Sequence, residues 1–218
     1  MKNYLFLLLL IPITAACLAV LGFGYAFHLI LSLSCIIIVL VFPEEEVKTS
    51  AWLIALSFLI SIAGDWMLGH RANFPDRFIY GIGLYFLAHI GYLSFCIRNG
   101  RVNILLLALS LVGYGIFFML KLKPAISDDL LLISVLLYLI ISCCTLAASL
   151  ELSLSPTSRW LFFIGILSLV FSDTLIALHE FVRNDTLYFL MMPTFYASHI
   201  FITAAMMRKN NESLDENT

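Results

Sequence analysis

The chain has 218 residues, of which 62% are hydrophobic and 12% are charged, and its formal net charge at pH 7 is −2. A soluble domain of this length does not need so large an apolar fraction. The slightly acidic balance argues against a nucleic-acid-binding surface. The composition therefore favours a membrane protein whose partners are membrane lipid and small molecules, with no nucleic acid.

Eight apolar runs divide the chain, and each is long enough to cross a hydrocarbon core of about 30 Å as a helix. They lie at 4–22, 26–42, 50–69, 78–97, 102–120, 129–149, 158–181 and 186–207. This pattern predicts an all-α bundle of eight transmembrane helices in one domain, residues 1–207. A polar, disordered tail is expected at 208–218, and the acidic run Glu44–Glu46 is expected to be a solvated loop.

The loops give an orientation. The side that bears both termini carries seven Lys and Arg residues, against five on the other side. By the positive-inside rule this difference predicts cytoplasmic termini. We expect an integral, multi-pass protein of the bacterial inner membrane.

All five cysteines fall within apolar runs, where buried packing residues are expected rather than disulfides or metal ligands.

Two aspartates inside apolar runs are the most informative residues. Asp65 lies in LSFLISIAGDWML and Asp173 in IGILSLVFSDTLIAL, each about fifteen residues into its run. They should therefore lie at the same depth in the bilayer. A carboxyl group at that depth is costly unless it faces a protein interior or a wet cavity. The pair therefore predicts a functional site.

Other polar residues recur at helical spacing and form a stripe on most of the helices. Small and hydroxylated residues in such stripes commonly mediate close helix packing, whereas a mid-span histidine can orient an aspartate. The stripe of the second helix contains His28, and Pro193 is expected to kink the eighth helix. The side chains that we expect to support or position the aspartates are Tyr85, His89, Tyr92, Tyr138, Ser172, Tyr196 and His199.

The two halves of the chain share a spacing. Asp65 precedes His89 of the next helix by 24 residues, and Asp173 precedes His199 of its next helix by 26. A four-helix unit used twice in parallel fits this spacing. Such a 4+4 repeat would bring the two aspartates to one depth around a pseudo-twofold axis along the membrane normal.

At these residues the chain resembles a known family. The combination of Gly64-Asp65, Tyr80, Gly83, Phe86, Ala88-His89, Tyr92, Ser172-Asp173, Ile176-Ala177, Pro193-Thr194 and Tyr196 is similar to the pattern of the YhhN-type lysoplasmalogenases, which are eight-helix integral membrane proteins. The resemblance covers roughly residues 50–205. It implies a lysophospholipid substrate, whose vinyl ether bond is hydrolysed to a fatty aldehyde and a glycerophospho-alcohol, and it implies no cofactor.

Vinyl ether hydrolysis suits two carboxyl groups. Protonation of the β-carbon gives an oxocarbenium ion that water captures, so the reaction needs one carboxylic acid and one carboxylate, as in glycosidases. Asp65 and Asp173 are the catalytic candidates. We expect Ser172 to donate a hydrogen bond to Asp173 and to favour its ionised form, which makes Asp65 the acid.

The loop cations Arg71, Arg77 and Arg183 lie on the membrane side nearest both aspartates, and we expect them to contact the phosphate of the headgroup. Three other functions fit the sequence, and one of them is a non-catalytic lipid-binding or receptor-like bundle. The chain would be a small-solute transporter if the polar stripes line a pathway. It would be a metal-dependent membrane hydrolase if His89, His199 and an aspartate bind zinc.

Overall fold

The computed structural model describes residues 7–70 and 77–207, and these residues form a helical bundle. Eight α-helices follow one another along this part of the chain, which confirms the all-α expectation. They are α1 Leu10–Val20, α2 Tyr25–Val41, α3 Ala51–Gly69, α4 Arg77–Arg98, α5 Ile104–Phe117, α6 Asp129–Ser149, α7 Pro156–Val182 and α8 Met191–Met207. The tail predicted for 208–218 lies outside the described residues.

Six of the helices, α3 to α8, are long and apolar enough to cross a membrane. Two of them reach this length with adjoining turns: α5 continues as a π-helical turn at Phe118–Leu122, and a 3-10 turn at Tyr188–Leu190 precedes α8. The helices α1 and α2 are apolar but shorter. The chain is therefore a multi-pass membrane protein.

Local sequence signals set several helix ends. The side chains of Asn103, Asp128 and Ser155 each accept a hydrogen bond from a backbone N–H in the first turn of α5, α6 and α7, at 2.9, 2.7 and 3.2 Å. Such caps satisfy N–H groups that have no partner within the helix. The turn between α1 and α2 contains Gly22 and Gly24 with φ of +85° and +108°, a conformation that glycine adopts without strain.

The helices pack in pairs that correspond between the two halves of the chain. The helix α3 packs along α4, and α7 packs along α8. Between the halves, α2 contacts α8, and the corresponding helix α6 contacts α4. This arrangement is what a repeated four-helix unit predicts. Close approach of α7 and α8 depends on Gly165, where a Cβ would lie 2.7 Å from Cγ1 of Ile202.

Two loops on one end of the bundle are joined by a short antiparallel pair of strands, β1 Gly100–Arg101 and β2 Glu151–Leu152, which the sequence did not predict. A Cβ at Gly100 would lie 2.4 Å from the carbonyl oxygen of Glu151, so the pairing needs glycine at this position. The strands tie the α4–α5 connection to the α6–α7 connection.

The acidic loop differs from expectation. Glu45 and Glu46 are exposed, but Glu44 is only 4% exposed, and its backbone N–H donates to the carbonyl of Met206 at 3.0 Å. The loop therefore docks against the end of α8, and the prediction of a fully solvated run is wrong for Glu44.

Pro193, where the sequence predicts a kink, lies near the start of the eighth helix. The helix α8 begins at Met191, so Pro193 lies in its first turn. Backbone N–H groups in a first turn have no intrahelical partner, and proline is therefore accommodated there without a broken hydrogen bond.

Candidate active site

Three helices converge on the carboxyl group of Asp65. The residue lies in α3, and its side chain is 12% exposed. Nε2 of His28, from α2, lies 2.9 Å from Oδ2, and the phenol of Tyr85, from α4, donates to Oδ1. Oδ1 thus accepts a hydrogen bond from Tyr85, and Oδ2 faces the imidazole of His28. A donor at a carboxyl oxygen favours the ionised carboxylate, and burial away from water opposes it.

A different set of donors surrounds Asp173. This residue lies in α7, and its side chain is 9% exposed. The phenol of Tyr138, from α6, donates to Oδ2 at 2.6 Å, and Nε2 of His89, from α4, lies 3.4 Å from the same oxygen. The sequence predicted Tyr138 and His89 near the aspartates, and the structure brings both to Asp173.

The far side of the His89 ring indicates where its proton lies. Nδ1 lies 3.4 Å from the hydroxyl of Thr145, and that hydroxyl donates to the carbonyl of Ile141 at 2.8 Å. Since the single hydroxyl proton is used in this way, the hydroxyl oxygen is an acceptor for His89 Nδ1–H. In neutral His89 the Nε2 lone pair would then face Oδ2 of Asp173. Two acceptor atoms repel each other at this distance. The contact therefore requires a proton, carried either by the carboxyl group of Asp173 or by Nε2 of the imidazole.

The two halves contribute to the site in a related but unequal way. In each half the helix before the aspartate supplies a donor: His28 precedes Asp65 by 37 residues, and Tyr138 precedes Asp173 by 35. The remaining partners, Tyr85 and His89, both come from α4. The helix α8 supplies no hydrogen bond to an aspartate within the described chain, so the 24- and 26-residue spacings do not describe equivalent contacts.

The aspartates line two different cavities. Asp65 lies in the wall of a cavity of about 640 Å³ that extends to the turn between α1 and α2. Asp173 lies in the wall of a pocket of 60 Å³ whose other walls are mostly apolar. Leu68, Tyr85 and Ile176 belong to both linings. The two carboxyl groups therefore face adjacent spaces with a thin partition between them.

Ser172 and Tyr196 line the larger cavity. The hydroxyl of Ser172 donates to the carbonyl of Met191 at 2.9 Å, so the expected hydrogen bond from Ser172 to Asp173 is wrong. The side chain instead joins α7 to the start of α8. The ring of Tyr196 lies 5.5 Å from the ring of His28, between centroids, and contributes to the aromatic wall beside Asp65.

His199 and Tyr92 make no hydrogen bond to an aspartate within the described chain. The His199 ring stacks on Phe58 with 4.3 Å between centroids, and its Nδ1 lies 3.2 Å from the carbonyl of Phe195. Nε2 of His199 and the hydroxyl of Tyr92 are buried and have no hydrogen-bond partner among the described residues. Tyr92 contacts the ring of His89 edge-on at 6.0 Å between centroids.

The loop arginines do not line either cavity within the described chain. Arg71 lies outside the described residues. The guanidinium of Arg77 lies 5.1 Å from the centroid of the Trp66 ring, and Arg183 is an exposed residue at the end of α7 with φ of 58°. The phosphate contacts expected of Arg77 and Arg183 stay predictions.

His28 and Thr145 complete the site and were not among the residues that the sequence assigned to it. The signal for His28 was its place on the polar stripe of the second helix, together with Ser32 and Cys35. Its pairing with Asp65 could not be predicted from that stripe, because the pairing depends on the rotation of α2 against α3.

Within residues 7–70 and 77–207, no group of three or more His, Cys, Asp or Glu side chains could hold a metal ion.

Comparison with known proteins gives one match. The model of a family described as the YhhN family matches residues 23–206, which is most of the chain and includes both aspartates. No curated protein and no solved structure matches the chain.

Proposed function

The chain belongs to the YhhN family, and from this premise we propose that it hydrolyses the vinyl ether bond of lysoplasmalogens to a fatty aldehyde and glycerophosphoethanolamine or glycerophosphocholine. The observation that carries the proposal is the placement of two buried aspartates, with different hydrogen-bond partners, in the walls of adjacent cavities. This hydrolysis requires one acid and one base, placed on opposite sides of the vinyl ether bond of the substrate.

Asp173 is the acid in this proposal. Its pocket is small and mostly apolar, and the arrangement of Thr145 and His89 requires a proton between His89 and Asp173. That proton is transferred to the β-carbon of the vinyl ether, and the electron pair of the double bond forms the new C–H bond. The resulting oxocarbenium ion carries its positive charge on the α-carbon and the ether oxygen.

Asp65 is the base. His28 and Tyr85 stabilise its carboxylate, and the larger cavity has room for water. As the water oxygen bonds to the α-carbon, Asp65 accepts the water proton, and a hemiacetal forms. The bond between the α-carbon and the ether oxygen then breaks: Asp65 gives the proton that it took from water to the leaving oxygen, and the hemiacetal hydroxyl gives its proton to Asp173 as the aldehyde forms. These roles reverse the expectation that Asp65 is the acid.

The setting that we propose is the bacterial inner membrane, with cytoplasmic termini. The substrate is a lysophospholipid that reaches the site from the surrounding bilayer. Its hydrophobic chain and its polar headgroup would extend from the scissile bond in opposite directions. The more polar cavity beside Asp65 suits the headgroup, and the small apolar pocket beside Asp173 has room only for the part of the chain next to the vinyl ether.

The test is aldehyde release from alkenyl lysophosphatidylethanolamine by purified protein in detergent, with and without EDTA. We expect activity in the wild type that survives EDTA, and a loss of roughly 10²- to 10⁴-fold in Asp65→Asn and in Asp173→Asn. Asp129→Asn is the matched control, because Asp129 is exposed in the first turn of α6. Absence of aldehyde with folded wild-type protein would overturn the proposal, and loss in EDTA would favour a metal-dependent hydrolase.

A further inference from the structure

The pocket beside Asp173 is too small to hold a whole lipid chain. Its volume is 60 Å³, whereas pockets that enclose a drug-sized ligand have volumes of about 300–1,000 Å³. Two helices supply much of its wall, with Ile82 from α4 and with Val135 and Tyr138 from α6. Most of a long hydrocarbon chain bound at this pocket must therefore lie in a neighbouring space.

A larger apolar groove lies beside the same two helices. Its volume is 560 Å³, and its lining includes Ile79, Gly83 and Leu87 of α4 and Ser134 and Leu137 of α6. Leu87 and Leu137 are each 49% exposed, so the groove opens on the outer surface of the bundle, which faces lipid chains in a membrane. The hydroxyl of Ser134 donates to the carbonyl of Leu130 at 2.8 Å, so its proton is already used. The groove therefore suits an apolar ligand.

Ile82 joins this groove to the pocket of Asp173. Its side chain is half-buried and lines both spaces. On α6, the groove residues Ser134 and Leu137 each directly precede a residue of the pocket wall. The groove and the pocket are thus adjacent, and they meet between α4 and α6 at Ile82.

Gly83 keeps the groove open. A Cβ at this position would meet no atom within 4 Å, so contact with another helix does not require a glycine here. Gly81 in the same helix differs, because its Cβ would lie 2.8 Å from Cδ2 of Leu68 in α3. Glycine destabilises a helix interior relative to alanine. A larger side chain at Gly83 would project into the groove, and its absence leaves that space for a ligand.

We propose that this groove binds the hydrocarbon chain of the substrate. The carbons next to the vinyl ether occupy the pocket of Asp173, the chain passes Ile82 between α4 and α6, and the remainder lies in the groove beside Gly83. A chain that moves from the bilayer into this groove is not exposed to water, so the transfer has no hydrophobic cost. This inference rests on the proposed function for the identity of the ligand.

The first experiment compares octadecenyl and hexenyl lysophosphatidylethanolamine, at equal mole fractions in detergent micelles. The longer chain extends into the groove, and the shorter one ends near the pocket. We expect Gly83→Phe to lower the ratio of kcat/KM for the long substrate to kcat/KM for the short one about tenfold, because the new ring occupies the space of the chain. Gly83→Ala should lower this ratio less. A ratio in Gly83→Phe equal to that of the wild type would overturn the inference.

A second variant and a control accompany this experiment. Leu137→Trp narrows the groove from α6 and should lower the ratio in the same direction, independently of any change in α4. Gly113→Phe is the matched control, because Gly113 lies in α5, its Cβ also meets no atom within 4 Å, and it does not line the groove. Its ratio should equal that of the wild type. Melting temperatures show whether each variant is folded.

Photolabelling separates this inference from the proposed reaction. The probe is octadecyl lysophosphatidylethanolamine with a diazirine at the end of its saturated chain, so it cannot be hydrolysed at a vinyl ether. The helix α5 reports contact with unbound lipid chains, since its Leu109 and Val112 are each 62% exposed. We expect more label in residues 79–87 and 134–137 than in α5, and we expect this excess to disappear in Gly83→Phe. Equal labelling of these segments and α5 in the wild type would overturn the groove, whereas absence of aldehyde release alone would count only against the proposed reaction.

Discussion

The phenol of Tyr85 donates a hydrogen bond to Oδ1 of Asp65, and the same side chain also lines the pocket that contains Asp173. Tyr85 thus belongs to both halves of the site. It stabilises one carboxylate directly and separates the two spaces that the carboxyl groups face. The proposed division of acid and base depends on this partition, because two carboxyl groups in one shared cavity would experience the same solvent.

Replacement of Tyr85 by phenylalanine tests the direct contact with Asp65. The ring would remain as a partition, but the carboxylate would lose one donor. A hydrogen bond to a charged group contributes about 1.5–3 kcal/mol, so we expect kcat to fall roughly 10- to 100-fold. The measurement is steady-state aldehyde release. Tyr80→Phe is the control, because Tyr80 is 60% exposed and does not line either aspartate cavity.

Replacement of His28 by glutamine tests the second donor to Asp65. The imidazole lies 2.9 Å from Oδ2 and is nearly buried, so a shorter amide would lengthen or break this contact. We expect a loss of kcat/KM of about tenfold or more. His70→Gln serves as the comparison, because His70 lies at the exposed end of α3, where its ring packs at a tilt against Trp66. Equal activity of the two variants would count against a role for His28.

Thr145 is predicted to act through His89. Thr145→Val removes the acceptor for His89 Nδ1–H, so the imidazole is free to place its proton on Nε2 and donate it to Asp173. With a donor at Nε2, the contact no longer requires a proton on Asp173. We expect kcat to fall about tenfold with little change in KM, and Thr145→Ser to restore most of the rate. A valine variant as active as the wild type would contradict the proposed tautomer.

The contact between α7 and α8 should be sensitive to a single methyl group. At Gly165 a Cβ would lie 2.7 Å from Cγ1 of Ile202 and 3.1 Å from the carbonyl oxygen of Ser198, so the backbones must move apart. We expect Gly165→Ala to lower the free energy of unfolding by about 1–3 kcal/mol, measured by thermal or denaturant unfolding in detergent. Gly113→Ala in α5 is the control, because its Cβ would meet no atom within 4 Å.

The sequence alone determined the class of the protein. Apolar runs of membrane-spanning length required helices, because backbone polar groups in a bilayer must be satisfied within the chain. The same runs predict one depth for Asp65 and Asp173, and the cost of a carboxyl group at that depth made them the candidates for a functional site. Tyr85, His89 and Tyr138 were also identified from helical spacing, which is a local property.

Tertiary structure decided which of these side chains meet. His28 pairs with Asp65, Ser172 turns to the carbonyl of Met191, and His199 stacks on Phe58 instead of approaching an aspartate. These outcomes depend on how each helix is rotated about its axis against its neighbours. A periodic pattern predicts which broad face of a helix points inward, but it does not predict the rotation closely enough to pair individual side chains. The separation of the two cavities likewise arises from side chains of several helices, so no single segment of the sequence encodes it.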